Sequence, residues 1–214
     1  MSLLCNCPTG AALPSIPLSE CPESLGQVQK VIFQRIFSTG NTKNEFVIAT
    51  ADPDTKASWT PLLAATDGTK VVQSPYLQAP TTEPGAARTY GGGNETLGGV
   101  ELIIGREPTS FTANILRTSQ ATIAALKQYM CENVGVYLVD EFGRIAGLVD
   151  SLSAPTKFSP IPIGSLFVGD KTLGGFEAPD MNVISWKFFP NWSDNLHLIT
   201  PDDFNALTDL ATPA

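Results

Sequence analysis

The stretch Gly135-Val-Tyr-Leu-Val-Asp140, Glu-Phe-Gly143, Arg144-Ile-Ala-Gly-Leu-Val149 decides the fold. It consists of two runs rich in β-branched and apolar residues, and the short connection between them ends in glycine. Strand-forming runs separated by a few turn residues are typical of a β-hairpin. Both runs are apolar enough to be buried, so we expect this hairpin near the centre of a β-rich protein.

Further strands are predicted on both sides of the hairpin. Residues Gln27 to Phe37 are rich in β-branched and aromatic side chains, which favours a strand, although a helix remains an alternative, with one face formed by Leu25, Val28, Ile32 and Ile36. In Val183 to Phe189, alternation places Trp186 and Phe188 on one face, as in a core strand. The other predicted strands are Asn44 to Thr50, Val100 to Ile104, Phe111 to Leu116 and Ile161 to Val168.

Two helices are predicted. Ser119 is a suitable N-cap for a helix that ends near Met130 or Cys131, with Ile123, Leu126 and Met130 forming an apolar stripe. Thr200 and Pro201 precede acidic residues, a pattern typical of a helix start. The sequence therefore predicts a short C-terminal helix over Asp202 to Leu210.

The turn-forming residues indicate how the chain is organised. Asp67-Gly68 lies between the apolar runs Trp59 to Leu63 and Val71 to Val72, which predicts a hairpin or a tight turn. Residues 73–99 contain three prolines and six glycines without periodicity, which predicts a long projecting loop. Residues 1–24 are predicted to form an N-terminal arm. Residues 25–214 are then a single domain, mainly β with α: a β-sandwich or barrel with one flanking helix and the short C-terminal helix.

Composition and charge exclude several classes of protein. The 214 residues carry a formal net charge of -8, yet only 16% are charged. About a third are Gly, Pro, Thr or Ser, which argues against a helical bundle. An acidic chain without Lys/Arg clusters is a poor candidate for gripping nucleic acid. No run of eighteen apolar residues and no secretory signal is present in the sequence, so we expect no membrane insertion and no export.

The four cysteines leave two interpretations open. Cys5, Cys7 and Cys21 are three soft ligands for zinc, but zinc sites usually contain C-x2-C pairs and a fourth ligand. The favoured interpretation is reduced thiols in the arm and a buried Cys131 behind the helix. No cofactor or metal is predicted.

No catalytic arrangement is recognisable, and we expect the protein not to be an enzyme. His197, the only histidine, lies in an apolar pattern typical of a half-buried structural residue. The carboxylate pairs have structural explanations, because Asp140-Glu141 lies in the predicted hairpin turn and Asp202-Asp203 in the first turn of the predicted helix. Three tryptophans, Trp59, Trp186 and Trp192, leave a carbohydrate-binding β-sandwich as an alternative.

The succession of elements from Val100 to Phe189 resembles the tail tube (major tail) proteins of tailed bacteriophages and related contractile injection systems. The resembling parts are the strands, the helix over Ser119 to Met130 and the hairpin through Asp140 to Gly143. The resemblance implies homo-oligomeric rings, often hexameric, that stack into a tube within the virion. It further implies assembly in the host cytoplasm, other virion proteins as partners and double-stranded DNA only as passing cargo. A head-decoration or connector protein of the virion is the alternative within this class.

This resemblance assigns assembly roles to the arm and the long loop, which reach into the next ring in that family. The apolar candidates for such contacts are Leu3, Leu4, Leu13, Ile16, Leu18, Tyr76, Leu77 and Tyr90. The family's lumen tends to be acidic, which keeps phosphates from sticking. From Glu177 onward the chain has six acidic residues and one basic residue, and these acids are candidates for a lumen or an acidic outer surface: Glu177, Asp180, Asp194, Asp202, Asp203 and Asp209.

Overall fold

The computed structural model describes Ile16 and residues 24–211, except for the side chain of Leu97. Its strands are β1 (Val28–Arg35), β2 (Phe46–Val47), β3 (Val71–Gln73), β4 (Gln78–Glu83), β5 (Ala87–Tyr90), β6 (Leu102–Arg106), β7 (Thr109–Leu116), β8 (Val134–Asp140), β9 (Ile145–Val149), β10 (Lys157–Ser159), β11 (Ile161–Val168), β12 (Met181–Phe188) and β13 (Leu196–Ile199). The α-helices are α1 (Lys56–Ala64) and α2 (Gln120–Gln128). The predicted class, mainly β with few helices, is confirmed.

Strand β8 lies at the centre of an antiparallel sheet of eleven strands. Along one side it pairs with β1 over its whole length, and its other side is shared between β11 and β9. The predicted hairpin is β8 and β9, with Leu138 opposite Ala146. Strand β11 also pairs with β12, and β12, β7 and β4 follow in that order. The strand interpretation of Gln27 to Phe37 is therefore correct.

The sheet folds over on itself, and the first core lies between its two halves. Alternate residues of β8 point into this core, together with residues of β1, β7, β11 and β12. Phe111 and Trp186 stack at its centre with ring centroids 4.1 Å apart. Helix α2 covers one side through Ile123 and Leu126, as the sequence predicts, whereas Met130 at the end of the stripe is 37% exposed.

A second core lies on the opposite face of β8, so every residue of this strand is buried. Trp59 of α1 packs against Phe46 and Tyr137 and donates a hydrogen bond to the Pro53 carbonyl at 2.8 Å. Strand β1 contributes Lys30, whose Nζ donates to the carbonyl of Leu207 at 2.7 Å. The protein thus has three layers, with the β8 half of the sheet in the middle.

Helix α1 was not predicted. Its sequence, Lys56-Ala-Ser-Trp-Thr-Pro-Leu-Leu-Ala64, contains a proline and has little amphipathic pattern. The run Trp59 to Leu63 is therefore part of a helix and not one strand of a hairpin, although the tight turn at Asp67-Gly68 is present. The side chain of Asp67 accepts hydrogen bonds from the backbone and hydroxyl of Thr69, which stabilises that turn.

The predicted C-terminal helix over Asp202 to Leu210 is wrong. The structure has turns at these positions, because local side chains bind the backbone in place of a helical ladder. The Asn205 side chain accepts from the amide of Leu207 at 2.9 Å, and the Asp209 carboxylate accepts from the amide of Asn205 at 2.9 Å. The turn still buries Ala206, Leu207 and Leu210 in the second core.

Two further predictions need correction. The strand predicted over Asn44 to Thr50 is reduced to β2, because hydrogen-bonded turns follow Val47. Cys131 is exposed, contrary to the expectation of a buried thiol, since it lies on the outer side of a single turn of 3-10 helix after α2. Cys5, Cys7 and Cys21 lie outside the described residues.

Candidate assembly surface

The predicted long loop over residues 73–99 is mostly one half of a long antiparallel hairpin. Strands β4 and β5 lie within it, and β3 ends at its first residue, Gln73. Strand β4 pairs with β7 as the last strand of the sheet, and beyond Gly85 the same two segments of chain continue as β5 and β6. A Cβ atom on Gly85 would lie 1.8 Å from the carbonyl oxygen of Glu107, so the close approach of the two segments requires glycine here.

The outer part of this hairpin, residues 87–106, is named the free ribbon, because β5 and β6 pair only with each other. Tyr90 lies opposite Leu102 and Thr89 opposite Ile103. The glycines at its tip are the reason why the sequence predicts a loop at this position. Gly91 has a φ of 87°, and a Cβ atom there would meet the Thr96 side chain at 2.1 Å.

Both faces of the free ribbon carry exposed apolar side chains. Leu102 and Ile103 are successive residues of a strand and so point to opposite faces. The side chains concerned are 55–63% exposed and are those of Tyr90, Val100, Leu102, Ile103 and Ile104. At the base of the ribbon, Arg106 donates a hydrogen bond to the side chain of Asn191.

An isolated two-stranded ribbon is only marginally stable in water. Burial of apolar area stabilises such an element by about 25 cal/mol for each Å² removed from solvent. The free ribbon buries little of its own apolar area, and none of its residues belongs to either core. Docking on another surface would bury these apolar side chains and so stabilise the ribbon.

The candidate apolar residues from the sequence fall into three groups. Ile16 is 86% exposed, Tyr90 is on the free ribbon, and Tyr76 is half-exposed with the Lys30 Nζ 4.2 Å from the centre of its ring. Leu77 was wrongly predicted as an assembly residue, because it is only 3% exposed and packs in the first core. The remaining candidates lie outside the described residues: Leu3, Leu4, Leu13 and Leu18.

The candidate acids do not form one patch. Glu177 and Asp180 precede β12, whereas Asp194 follows it at the other end of the sheet. The C-terminal acids lie near α1, where the Asp203 carboxylate accepts from the amide of Lys56 at 2.8 Å. Backbone and side-chain hydrogen bonds from Asn205 and Thr208 lower the pKa of Asp209. The six positions comprise Glu177, Asp180, Asp194, Asp202, Asp203 and Asp209.

One local cluster of acids was not predicted. Burial raises the pKa of Asp54, and the nearby charges of Asp52 and Asp202 raise it further, while His197 acts in the opposite direction. The Oδ1 atom of Asp54 is buried and has no hydrogen-bond partner among the described residues. The charged form of Asp54 is therefore disfavoured at this place in the fold. Within the part of the chain that the structure describes, no group of three or more His, Cys, Asp or Glu residues has a metal-binding arrangement.

The residues considered for catalysis or sugar binding lie in surroundings that give each of them a structural role. His197 is half-buried in β13 and pairs with Gly147. Asp140 is fully buried and forms an ion pair with Arg144 at 2.6 Å. Trp59 and Trp186 are buried, so their rings are not available to stack on a sugar. Trp192 is half-buried and stacks on Phe188 with centroids 4.3 Å apart.

A cleft of about 230 Å³ lies between β1 and the end of α2. Its walls include Phe33 and Tyr129, and at one side the Arg35 guanidinium binds the Glu132 carboxylate through two hydrogen bonds of 2.7 and 2.9 Å. This bidentate contact lowers the pKa of Glu132 and raises that of Arg35. Because both charges are satisfied by each other, the pair is best explained as a link between β1 and the segment after α2.

No protein-family model, curated protein or solved structure matches this chain. None of the described helices has the length and apolar character needed to cross a membrane.

Sequence reasoning missed a second exposed apolar feature, the segment Asp170 to Asp180 between β11 and β12. Leu173 is 77% exposed and the Phe176 side chain is completely exposed. The available signals were two: Leu102-Ile-Ile104 is apolar at successive positions, unlike a strand with one solvent face, and Leu173-Gly-Gly-Phe176 places large apolar residues beside turn glycines.

Proposed function

We propose that this chain is a structural subunit of a phage virion, and not an enzyme, and that it forms the tail tube by stacking homo-oligomeric rings around a DNA conduit. The observation that carries the proposal is the free ribbon, which extends from the edge of the sheet with apolar side chains on both faces. Such a segment is expected in a subunit that is completed by its neighbours.

Two other features support the proposal. The β-rich body with α2 against its first core agrees with the architecture that the resemblance implies. The net charge of -8 suits the wall of a conduit, because DNA phosphates are repelled by carboxylates and slide past without binding. The exposed acids Glu177, Asp194 and Asp202 are candidates for contributing to such a wall.

The proposal is tested by concentrating the purified protein and imaging it by negative-stain electron microscopy, with sedimentation velocity in parallel. We expect rings or tubes. A variant with Leu102→Lys and Ile103→Lys on the ribbon should need an at least tenfold higher protein concentration to assemble. The matched control is Leu152→Lys, which changes an equally exposed apolar residue outside the ribbon.

Strictly monomeric particles under all conditions, together with absence of the protein from tubes in native particles, would exclude the proposal. Location at the head or the connector of a native particle would favour another virion role. A gel-shift assay with double-stranded DNA provides a further check, since tight binding would contradict a conduit through which DNA passes.

A further inference from the structure

The free ribbon and the segment 170–180 lie at opposite ends of the same pair of strands. In β7 and β12, Thr109 is opposite Phe188 at one end, and Leu116 is opposite Met181 at the other. The ribbon joins the sheet at Thr109, and the segment 170–180 leads into Met181. Strands of eight residues at about 3.4 Å per residue place the two features roughly 25 Å apart.

The segment 170–180, named the acceptor loop, has an ordered base and an apolar tip. At the base, Thr172 and Met181 exchange backbone hydrogen bonds of 2.8 and 3.0 Å, and the amide of Gly174 donates to Asp180. At the tip, Leu173 and Phe176 face solvent. A hydrogen-bonded base limits the conformational entropy lost when the tip is covered, which favours docking.

We propose that the free ribbon of one copy packs against the acceptor loop of the next copy, so that copies join head to tail along the direction of β7 and β12. This inference rests on the proposed function and names the two surfaces that make the contact between stacked subunits. The ribbon supplies Leu102 or Ile103, and the loop supplies Leu173 and Phe176.

The placement of the two surfaces favours a second copy as the partner. Contacts between different surfaces of identical chains are heterologous and repeat indefinitely, so two apolar features at opposite ends are what an end-to-end stack requires. Ribbon-to-ribbon contact between two copies would be closed and would leave Phe176 in water. The net charge of -8 on each copy opposes association, and burial of the exposed apolar side chains supplies the attraction in this contact.

The test uses two blocked chains. The ribbon-blocked chain carries Leu102→Lys and Ile103→Lys, and the loop-blocked chain carries Leu173→Lys and Phe176→Lys. Each alone is expected to stop at a unit that does not stack, either a single ring or a monomer. In a 1:1 mixture, the intact ribbon of the loop-blocked chain can pack against the intact acceptor loop of the ribbon-blocked chain. The mass of the unit should therefore double once and grow no further. Sedimentation velocity and mass photometry measure this doubling.

The control is again Leu152→Lys, which should stack as the wild-type chain does. Circular dichroism and urea unfolding verify that each blocked chain is folded, which is expected because all four substituted side chains are exposed. As a second variant, Phe176→Ala with Leu173→Ala removes the apolar tip without adding charge and should also prevent stacking.

The possible failures are distinguishable. If the wild-type chain forms no assembly and is absent from native tubes, the proposed function is wrong and this inference fails with it. If the wild-type chain stacks and the loop-blocked chain stacks equally well, only the head-to-tail contact is wrong. Dimers formed by the loop-blocked chain alone, together with no mass doubling in the mixture, would replace it with a ribbon-to-ribbon contact.

Discussion

Asp140 holds together the turn at the centre of the sheet. Its carboxylate is completely buried and accepts hydrogen bonds from the amides of Gly26, Phe142 and Arg144, and from the Arg144 guanidinium. One side chain therefore connects the start of the described domain to the β8–β9 hairpin. An acid in a tight turn is expected from sequence, but its contact with Gly26 depends on the tertiary fold.

We expect Asp140→Ala to lower the free energy of unfolding by about 3 kcal/mol, since removing one partner of a buried ion pair leaves charge and amide groups unsatisfied. Urea unfolding followed by tryptophan fluorescence measures this change. Glu141→Ala, at the exposed neighbouring position, should change stability by about 0.5 kcal/mol or less. Equal effects of the two substitutions would contradict the role assigned to Asp140.

Asp54 should lower the free energy of unfolding as pH rises, whereas most carboxylates in folded proteins have the opposite effect. Its folded-state pKa is raised by burial and by Asp52 and Asp202, so the native state binds more protons than the unfolded state just above the ordinary pKa of aspartate. Its contribution to stability is therefore lost as pH rises through that interval. We expect Asp54→Asn to raise the Tm at pH 7 and to have little effect at about pH 3, below the ordinary pKa.

Thermal unfolding at both pH values, with Asp194→Asn as the control at an exposed acid elsewhere, checks this expectation. The unpartnered Oδ1 atom of Asp54 adds to the reason for a gain, because an amide at this position carries no charge that burial penalises. A lower Tm of Asp54→Asn at pH 7 would show that the charged carboxylate makes a stabilising contact.

At the scale of elements, the predictable parts are those whose patterns coincide with burial. Strand β12 and helix α2 were predicted because their apolar residues recur at the period of the element, and the hairpin β8–β9 because two continuous apolar, β-branched runs flank a short turn. Helix α1 lacks such a pattern, since it buries mainly Trp59 and contains Pro61. Only the β6 half of the free ribbon is predicted, as the strand Val100 to Ile104, because the glycines of the other half indicate a loop and its pairing depends on the register across the glycine-rich tip.

The N-cap of α2 offers a direct test of a local prediction. The Ser119 hydroxyl accepts a hydrogen bond from the amide of Thr122 at 3.2 Å. We expect Ser119→Ala to lower stability by about 1 kcal/mol and Ser119→Asp to retain most of it, because aspartate also caps helices. Urea unfolding of the three chains measures the differences, and an equal loss for both variants would mean that the hydroxyl does not act as a cap.

At the scale of the whole molecule, charge opposes association while apolar surfaces favour it. Raising the ionic strength from about 0.1 M to about 1 M shortens the screening length from roughly 10 Å to roughly 3 Å. We therefore expect the wild-type chain, with its net charge of -8, to assemble at lower protein concentration in high salt.

Light scattering across a series of NaCl concentrations measures this dependence, and the ribbon-blocked chain serves as the control that should not stack at any of them. Assembly that weakens with salt would instead indicate that ion pairs between copies dominate the contact. The net charge and the apolar residues of both segments are visible in the sequence. The sequence does not show that the ribbon and the acceptor loop lie at opposite ends of one sheet, because this placement follows from the pairing of β7 with β12.

The pairing of β1 with β8 has a consequence for synthesis on the ribosome. Val31 lies opposite Leu138, so β1 emerges long before the strand that covers it. At about 5–20 residues per second, translation leaves β1 without this partner for roughly 5–20 s. During that time Val31, Ile32 and Phe33 are exposed to other nascent chains. The finished subunit no longer exposes these three side chains, because all of them are buried in it.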